Sequence, residues 1–407
     1  MLVNKKSKFL YLYALTLFIL SALYGLLMRW NFAFPTKFIP YQSLLQSHSH
    51  VAFLGWGYLS VVGAIIYYFI SDTNKRKKVY KTTLAILLVA ISLMLISFPL
   101  GGYKIFSIVL LAVFGLTSYV LSFRVLKDLQ GNDISVKLIK YGIYYYLLSS
   151  LATWFLAFVI ATQGKTDLYY NTIYFYLHFL YNGFFVFALF GLLFKIFENQ
   201  QILISAKLQK GFFLFLNMAC IPAYALSVLW SSDFSLIFVI GFVASVLQLI
   251  SLGFLIKIMR HAFLQIKWSF ISKLLLIFGL ISYSFKIISQ ILSAFPYIAE
   301  KSLALKPFFI IGYLHLFTLG FLSVFLFLIV DQLGKINLHK PTSKVGILMF
   351  LTGVFVTELL LFLQGFLFLF QFNAIKNFSL ILLIFSFLIV IGLLIIYTNQ
   401  FYRQQIK

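Results

Sequence analysis

The sequence predicts an all-α polytopic membrane protein of about twelve transmembrane helices, in a pseudo-threefold arrangement of four-helix units with both termini cytoplasmic. Three observations predict it. Hydrophobic residues make up 62% of the 407 and charged residues only 10%, a balance foreign to soluble domains. Apolar runs of about 20 residues recur along the whole chain, the length a helix needs to cross a ~30 Å hydrocarbon core. The alternating short strands of an outer-membrane barrel are absent. Finally, three histidines head one motif in separate apolar runs: His50-Val-Ala-Phe-Leu-Gly55, His178-Phe-Leu-Tyr-Asn-Gly183 and His315-Leu-Phe-Thr-Leu-Gly320. They lie 128 and 137 residues apart (178 − 50 and 315 − 178), close to a threefold internal repeat.

Taken in order, the first run, 9–30, lacks a small-residue cleavage signature and reads as a retained helix rather than a signal peptide. The spans that follow are 48–70, 80–99, 103–123, 138–161, 171–196, 208–230, 234–258, 268–293, 306–331, 345–371 and 377–400. Of the seven prolines, Pro222 stands inside span 7, while Pro99 and Pro307 lie at span ends. Every polar connection reads as a short loop, so residues 1–407 form a single membrane domain with pseudo-repeats of roughly 1–125, 126–258 and 259–400. The single cysteine, Cys220, excludes an internal disulfide and any multi-cysteine metal centre.

Lysine and arginine set the orientation. On this span count, 24 of the 32 fall on the side of the N-terminus, including the Lys75-Arg76-Lys77-Lys78 cluster and Lys335, Lys340, Lys344, Arg403 and Lys407. Seven fall on the other side: Arg29, Lys37, Lys104, Lys165, Lys301, Lys306 and Lys376. Lys286 alone lies deep within a span. The positive-inside rule then places both termini in the cytoplasm. The formal charge of +23 is mostly this topology signal, reinforced by anionic headgroups. No basic soluble module exists to bind nucleic acid.

With that orientation, spans 2, 6 and 10 all enter from the outer face. His50 falls at the very start of span 2, and His178 and His315 eight or nine residues into spans 6 and 10. Imidazole is a poor membrane residue, and an ionisable group in lipid usually marks a functional path or ligand site. Neutral imidazole is also a common metal and haem ligand. The trio is therefore a candidate haem or metal site, with interhelical hydrogen bonding as the plainer alternative. On a regular α-helix the glycine five positions on points ~140° away from its histidine, as a helix-packing or macrocycle-approach position. His48 points ~200° from His50 and cannot serve the same ion; a second metal, a propionate contact and a plain interfacial role are all open. His261 and His339 read as solvated loop residues.

At these residues the chain resembles the haem-copper oxidase superfamily: subunit I of cytochrome oxidases and nitric oxide reductases, and the related NnrS-type membrane haemoproteins. The likeness lies in the twelve-span plan, the threefold pattern and the Ser47-His48-Ser49-His50-Val51-Ala52-Phe53-Leu54-Gly55-Trp56 stretch. It implies a b-type haem with His50 and His315 as axial ligands, and His178 as a ligand to copper. It also implies a bacterial cytoplasmic (inner) membrane and a cytochrome or other oxidase-type subunit as partner. The chain departs from the family in two places. Span 7 has no histidine pair, and span 10 has one histidine where the family has two. Copper wants about three imidazoles, and the chain offers His178 and His48.

Other polar groups lie in the spans. Glu358 in span 11 and Lys286 in span 9 are costly alone in lipid and are expected to pair with each other, with proton handling by Glu358 as the alternative. Arg29, beside Trp30 at the end of span 1, suits haem propionates bidentately or serves as an interfacial anchor. Tyr181, one turn from His178, hydrogen-bonds a ligand or packs.

The leading function is a membrane haemoprotein, oxidoreductase-like if catalytic, for electron transfer or O2/NO handling. The alternatives are a twelve-helix transporter and a cofactor-free oxidase-like subunit. No cytochrome c attachment motif is present, so a soluble electron donor is a separate chain.

Overall fold

In lipid the backbone must satisfy its own hydrogen bonds, and long apolar runs with no competing partner become helices. The computed structural model describes residues 2–35, 40–232 and 234–401. Among them there are helices and no strand. Lys37, Arg403 and Lys407 of the charge pattern lie outside the described residues. Eleven helices are long and apolar enough to cross a membrane. They are α1 (Lys8–Ala33), α2 (Tyr41–Phe69), α3 (Lys78–Gly101), α4 (Ile105–Asp128), α5 (Ile134–Thr162) and α6 (Asp167–Asn199). After a bent pair, α7 (Ala206–Cys220 and Pro222–Ser231), come α8 (Ser235–Phe263), α9 (Phe270–Ser293), α10 (Lys306–Gln332), α11 (Pro341–Leu369) and α12 (Phe378–Thr398). Counted as one span, the bent pair makes twelve. The chain is an all-α polytopic membrane protein.

Span ends agree with the sequence reading to within about five residues, with one exception. Helix α2 starts at Tyr41, seven residues before its expected start at 48. His50 is therefore not at the mouth of its helix but nine residues in (50 − 41), against eleven for His178 (178 − 167) and nine for His315 (315 − 306). At 1.5 Å per residue these are about 14, 17 and 14 Å along the axis. The three histidines stand at nearly equal distances from the starts of their own helices.

The histidine-bearing helices are also the most enclosed. Their apolar stretches are 78%, 89% and 67% buried in α2, α6 and α10, against 28–50% for the other unbroken spans. The outer spans expose large apolar side chains, such as Val89, Ile96, Phe155 and Leu236, as a lipid-facing surface requires.

Contacts divide the chain into two compact units. One holds residues 1–128, 269–276 and 323–407, and the other holds 129–268 and 277–322. The first two sequence repeats, 1–125 and 126–258, fall one in each unit, while the third is split between them.

In the first unit, Trp56 donates Nε1–H to Ser323 Oγ at 3.0 Å and stacks on Phe18 at 5.0 Å between ring centres. Helix ends there are tied by buried acids. Arg124 grips Asp128 with two bonds of 2.8 and 2.7 Å while the Tyr80 hydroxyl donates to the same carboxylate at 2.9 Å. Asp331 accepts from Ser272 Oγ at 3.0 Å and the Leu338 amide at 3.2 Å. His339, expected to be a solvated loop residue, reaches Asp331 at 3.3 Å with its side chain half exposed. Gly334, at φ +64°, makes the left-handed turn that ends α10.

In the second unit, α7 breaks by 47° at Pro222. Proline has no N–H and its ring collides with the carbonyl four residues back, so the helix cannot run on through it. The Tyr224 amide turns to the Ile221 carbonyl at 3.1 Å, a tightened three-residue turn. The second half of α7 is fastened to α6 by Tyr224 Oη donating to the Asn171 carbonyl at 3.0 Å and by Asn171 Nδ2 donating to Ser231 Oγ at 2.9 Å.

Candidate functional site

Each of the three histidines is the last residue of an α-helical stretch and is followed immediately by π-helix. The wide turns are Val51–Tyr58 after His50, Phe179–Phe185 after His178 and Leu316–Ser323 after His315. A π-helix bonds residue i to i+5, occurs rarely, and is found often at functional sites. The same wide turn follows the histidine in all three copies of the motif.

The π-turns correct the sequence reading of the glycines. With i to i+5 closure, Gly55, Gly183 and Gly320 return to about the side of their own histidines, one wide turn on. Each lies where another helix comes close. A Cβ on Gly55 would stand 2.9 Å from Leu17 Cδ1, and one on Gly320 2.7 Å from Ser282 Oγ. A Cβ on Gly183 would run into Tyr145 Cβ. They are helix-packing positions, and the five-residue spacing was the signal for a π-turn.

His50 donates Nδ1–H to the Gln46 carbonyl at 2.8 Å, one turn back on its own helix. Nε2 is then the lone-pair nitrogen, and it accepts from the Tyr103 hydroxyl at 3.1 Å on an exposed edge. The ring stacks on Phe98 at 4.6 Å. His48 turns to a different helix, donating Nδ1–H to the Ser21 carbonyl at 2.8 Å while Ser21 Oγ donates to the His48 carbonyl at 2.8 Å. Gly25 leaves room for that ring, since a Cβ there would lie 2.9 Å from its Cε1. In His50, anchoring Nδ1–H on a carbonyl leaves Nε2 as the lone-pair nitrogen, the arrangement that ligating histidines use.

His178 is arranged the other way. It is 3% exposed, and Nε2–H donates at 2.8 Å to the Cys220 carbonyl, which the tightened turn in α7 frees. Because a carbonyl only accepts, Nδ1 carries the lone pair and takes Asn182 Nδ2–H at 3.2 Å. Both ring nitrogens are engaged by protein groups, which does not fit an open copper ligand. Tyr181 stacks on Phe317 at 4.9 Å. His315 is half-buried at the head of its π-turn.

Glu358 and Lys286, expected to pair, fall in different units. In the first unit the charge acting on Glu358 is that of Arg29. In the second, the Lys286 ammonium lies 5.6 Å from the centre of the Tyr283 ring. Lys286, Gln248, Asn182, Tyr283 and Cys220 line a cavity of ≈ 10 Å³ beside the break in α7. Sequence reasoning named Pro222 and Lys286 but did not join them. Among the described residues no three His, Cys, Asp or Glu side chains converge on a metal-sized point. No family model matches this chain, and no curated protein matches it either.

Proposed function

We propose that the chain is an integral membrane haemoprotein for electron transfer, with His50 and His315 supplying axial imidazoles to a b-type haem. The observation that supports it most directly is His50 at the head of a π-turn. Its Nδ1–H is held by the Gln46 carbonyl, and its Nε2 is covered only by the Tyr103 hydroxyl. That fixes the tautomer a haem ligand needs, with a partner that a stronger ligand bond displaces. When bound, the haem supplies the one-electron chemistry, and two imidazoles leave no open iron position, which favours electron transfer over O2 or NO handling.

The chain's own residues orient the group. Phe98 stacks on the His50 ring at 4.6 Å and fixes its plane. Arg29, already within electrostatic reach of one carboxylate, is the residue assigned to the propionates. We extend the proposal to a bacterial inner membrane with both termini cytoplasmic, and to a separate cytochrome or oxidase-type subunit as electron donor. Copper is left out, because His178 is bonded at both nitrogens.

The test is the haem content of protein purified from haem-sufficient cells, where at least one b-type haem per chain is expected and none overturns the reading. One observation favours a second reading, transport: α7 is broken beside a buried polar cavity, as substrate-binding helices of transporters often are. Haem-free protein that carries out substrate-dependent flux in vesicles would decide for it.

A further inference from the structure

Lys286 is 1% exposed, and among the described residues it makes no hydrogen bond and no ion pair. Its ammonium rests on the Tyr283 ring face, and a cation–π contact alone does not balance the cost of taking a charge out of water. Among the described residues no carboxylate pairs with it. The described acids of its unit, Asp133, Asp167, Glu198 and Glu300, stand at span ends or in a connection, and Glu198 is already bound to Lys195 at 3.1 Å; the unit's remaining acid, Asp233, lies outside the described residues.

The space next to the ammonium is polar. Gln248, 4% exposed, lines the same ≈ 10 Å³ cavity and makes no hydrogen bond among the described residues. Asn182 gives its Nδ2–H to His178, and its buried Oδ1 makes no hydrogen bond there and remains an acceptor. A cavity of this size holds one water-sized occupant. A fixed cation beside one free amide group, Gln248, and one free amide oxygen, Asn182 Oδ1, around a single-occupant space is the chemistry of a small anion site: the ammonium and the Gln248 amide donate, and the Asn182 carbonyl can take a further ammonium proton.

We propose that the cavity bordered by Lys286, Gln248 and Asn182 at the break in α7 binds a monatomic, halide-sized anion as the counter-ion of Lys286. This site is independent of the haem reading, and its success or failure leaves that reading untouched.

The experiment is a chloride titration of the detergent-purified full chain at constant ionic strength, with gluconate, too large for the cavity, as the replacing anion. The thermal midpoint of the wild type is expected to rise with chloride and follow a one-site curve. Lys286→Met is expected to weaken chloride binding roughly tenfold or more, the loss of a charge-assisted hydrogen bond. Should Lys286→Met not fold, chloride-35 line broadening on the wild type, competed by bromide and reduced in Gln248→Leu, carries the test. A wild type with no saturable halide response, or a response undiminished in both variants, overturns the proposal.

Discussion

His50 and His178 head the same motif and the same wide turn, yet their ring nitrogens do opposite things. His50 holds itself to its own helix through Nδ1 and offers Nε2 to an exposed tyrosine. His178 is buried, and its Nε2 binds the backbone of a second helix exactly where that helix is broken. A repeated motif thus leaves its imidazole Nε2 with an exposed tyrosine in one copy and fastens two helices in the other. Motif identity fixes the backbone, while the neighbouring helix decides the chemistry.

The sharpest way to break this comparison is to delete both rings. His178→Ala should cost roughly 3 kcal/mol or more, because it leaves a cavity and strands the Cys220 carbonyl and Asn182 amide without partners. His50→Ala should cost less, about 1–2 kcal/mol, because its two hydrogen bonds are local to one helix and to an exposed tyrosine and its removal strands no buried group. Denaturant-induced unfolding in mixed micelles reads both, and equal losses would collapse the distinction.

Next comes Gly183→Ala, which drives a methyl into Tyr145. A loss of about 1–3 kcal/mol is expected, as for other overpacked sites, and an unchanged midpoint would show that the close approach at this π-turn is not needed. Pro222→Ala is smaller. It lets α7 run straight, returns the Cys220 carbonyl to its own helix and weakens the His178 bond, a net change of about 1 kcal/mol. The imidazole proton resonance of His178 should move with it. The smallest effect belongs to Tyr103→Phe. It removes only the exposed partner of His50, so stability should change by less than about 1 kcal/mol and haem binding should persist.

The spans and the positions of the histidine motifs were legible because hydropathy and spacing report them directly. The true start of α2 was not. Gln42, Ser43, Gln46, Ser47, His48 and Ser49 are polar enough to mask the first turns of the helix, where only Leu44 and Ser47 are buried. The π-turns were visible only as the five-residue spacing, which a regular 3.6-residue helix misplaces by ~140°. Partner choice was the least legible feature. Nothing local tells His178 to find the Cys220 carbonyl, since that depends on which helices meet.

The most direct measurement is the reduced-minus-oxidised visible spectrum of the purified protein beside His50→Ala, His315→Ala and His178→Ala. The account predicts a sharp low-spin b-type band that disappears in the first two variants and survives in the third, provided His178→Ala is read under conditions where it remains folded. A wild type without haem, or a band that outlives the loss of His50, would contradict it.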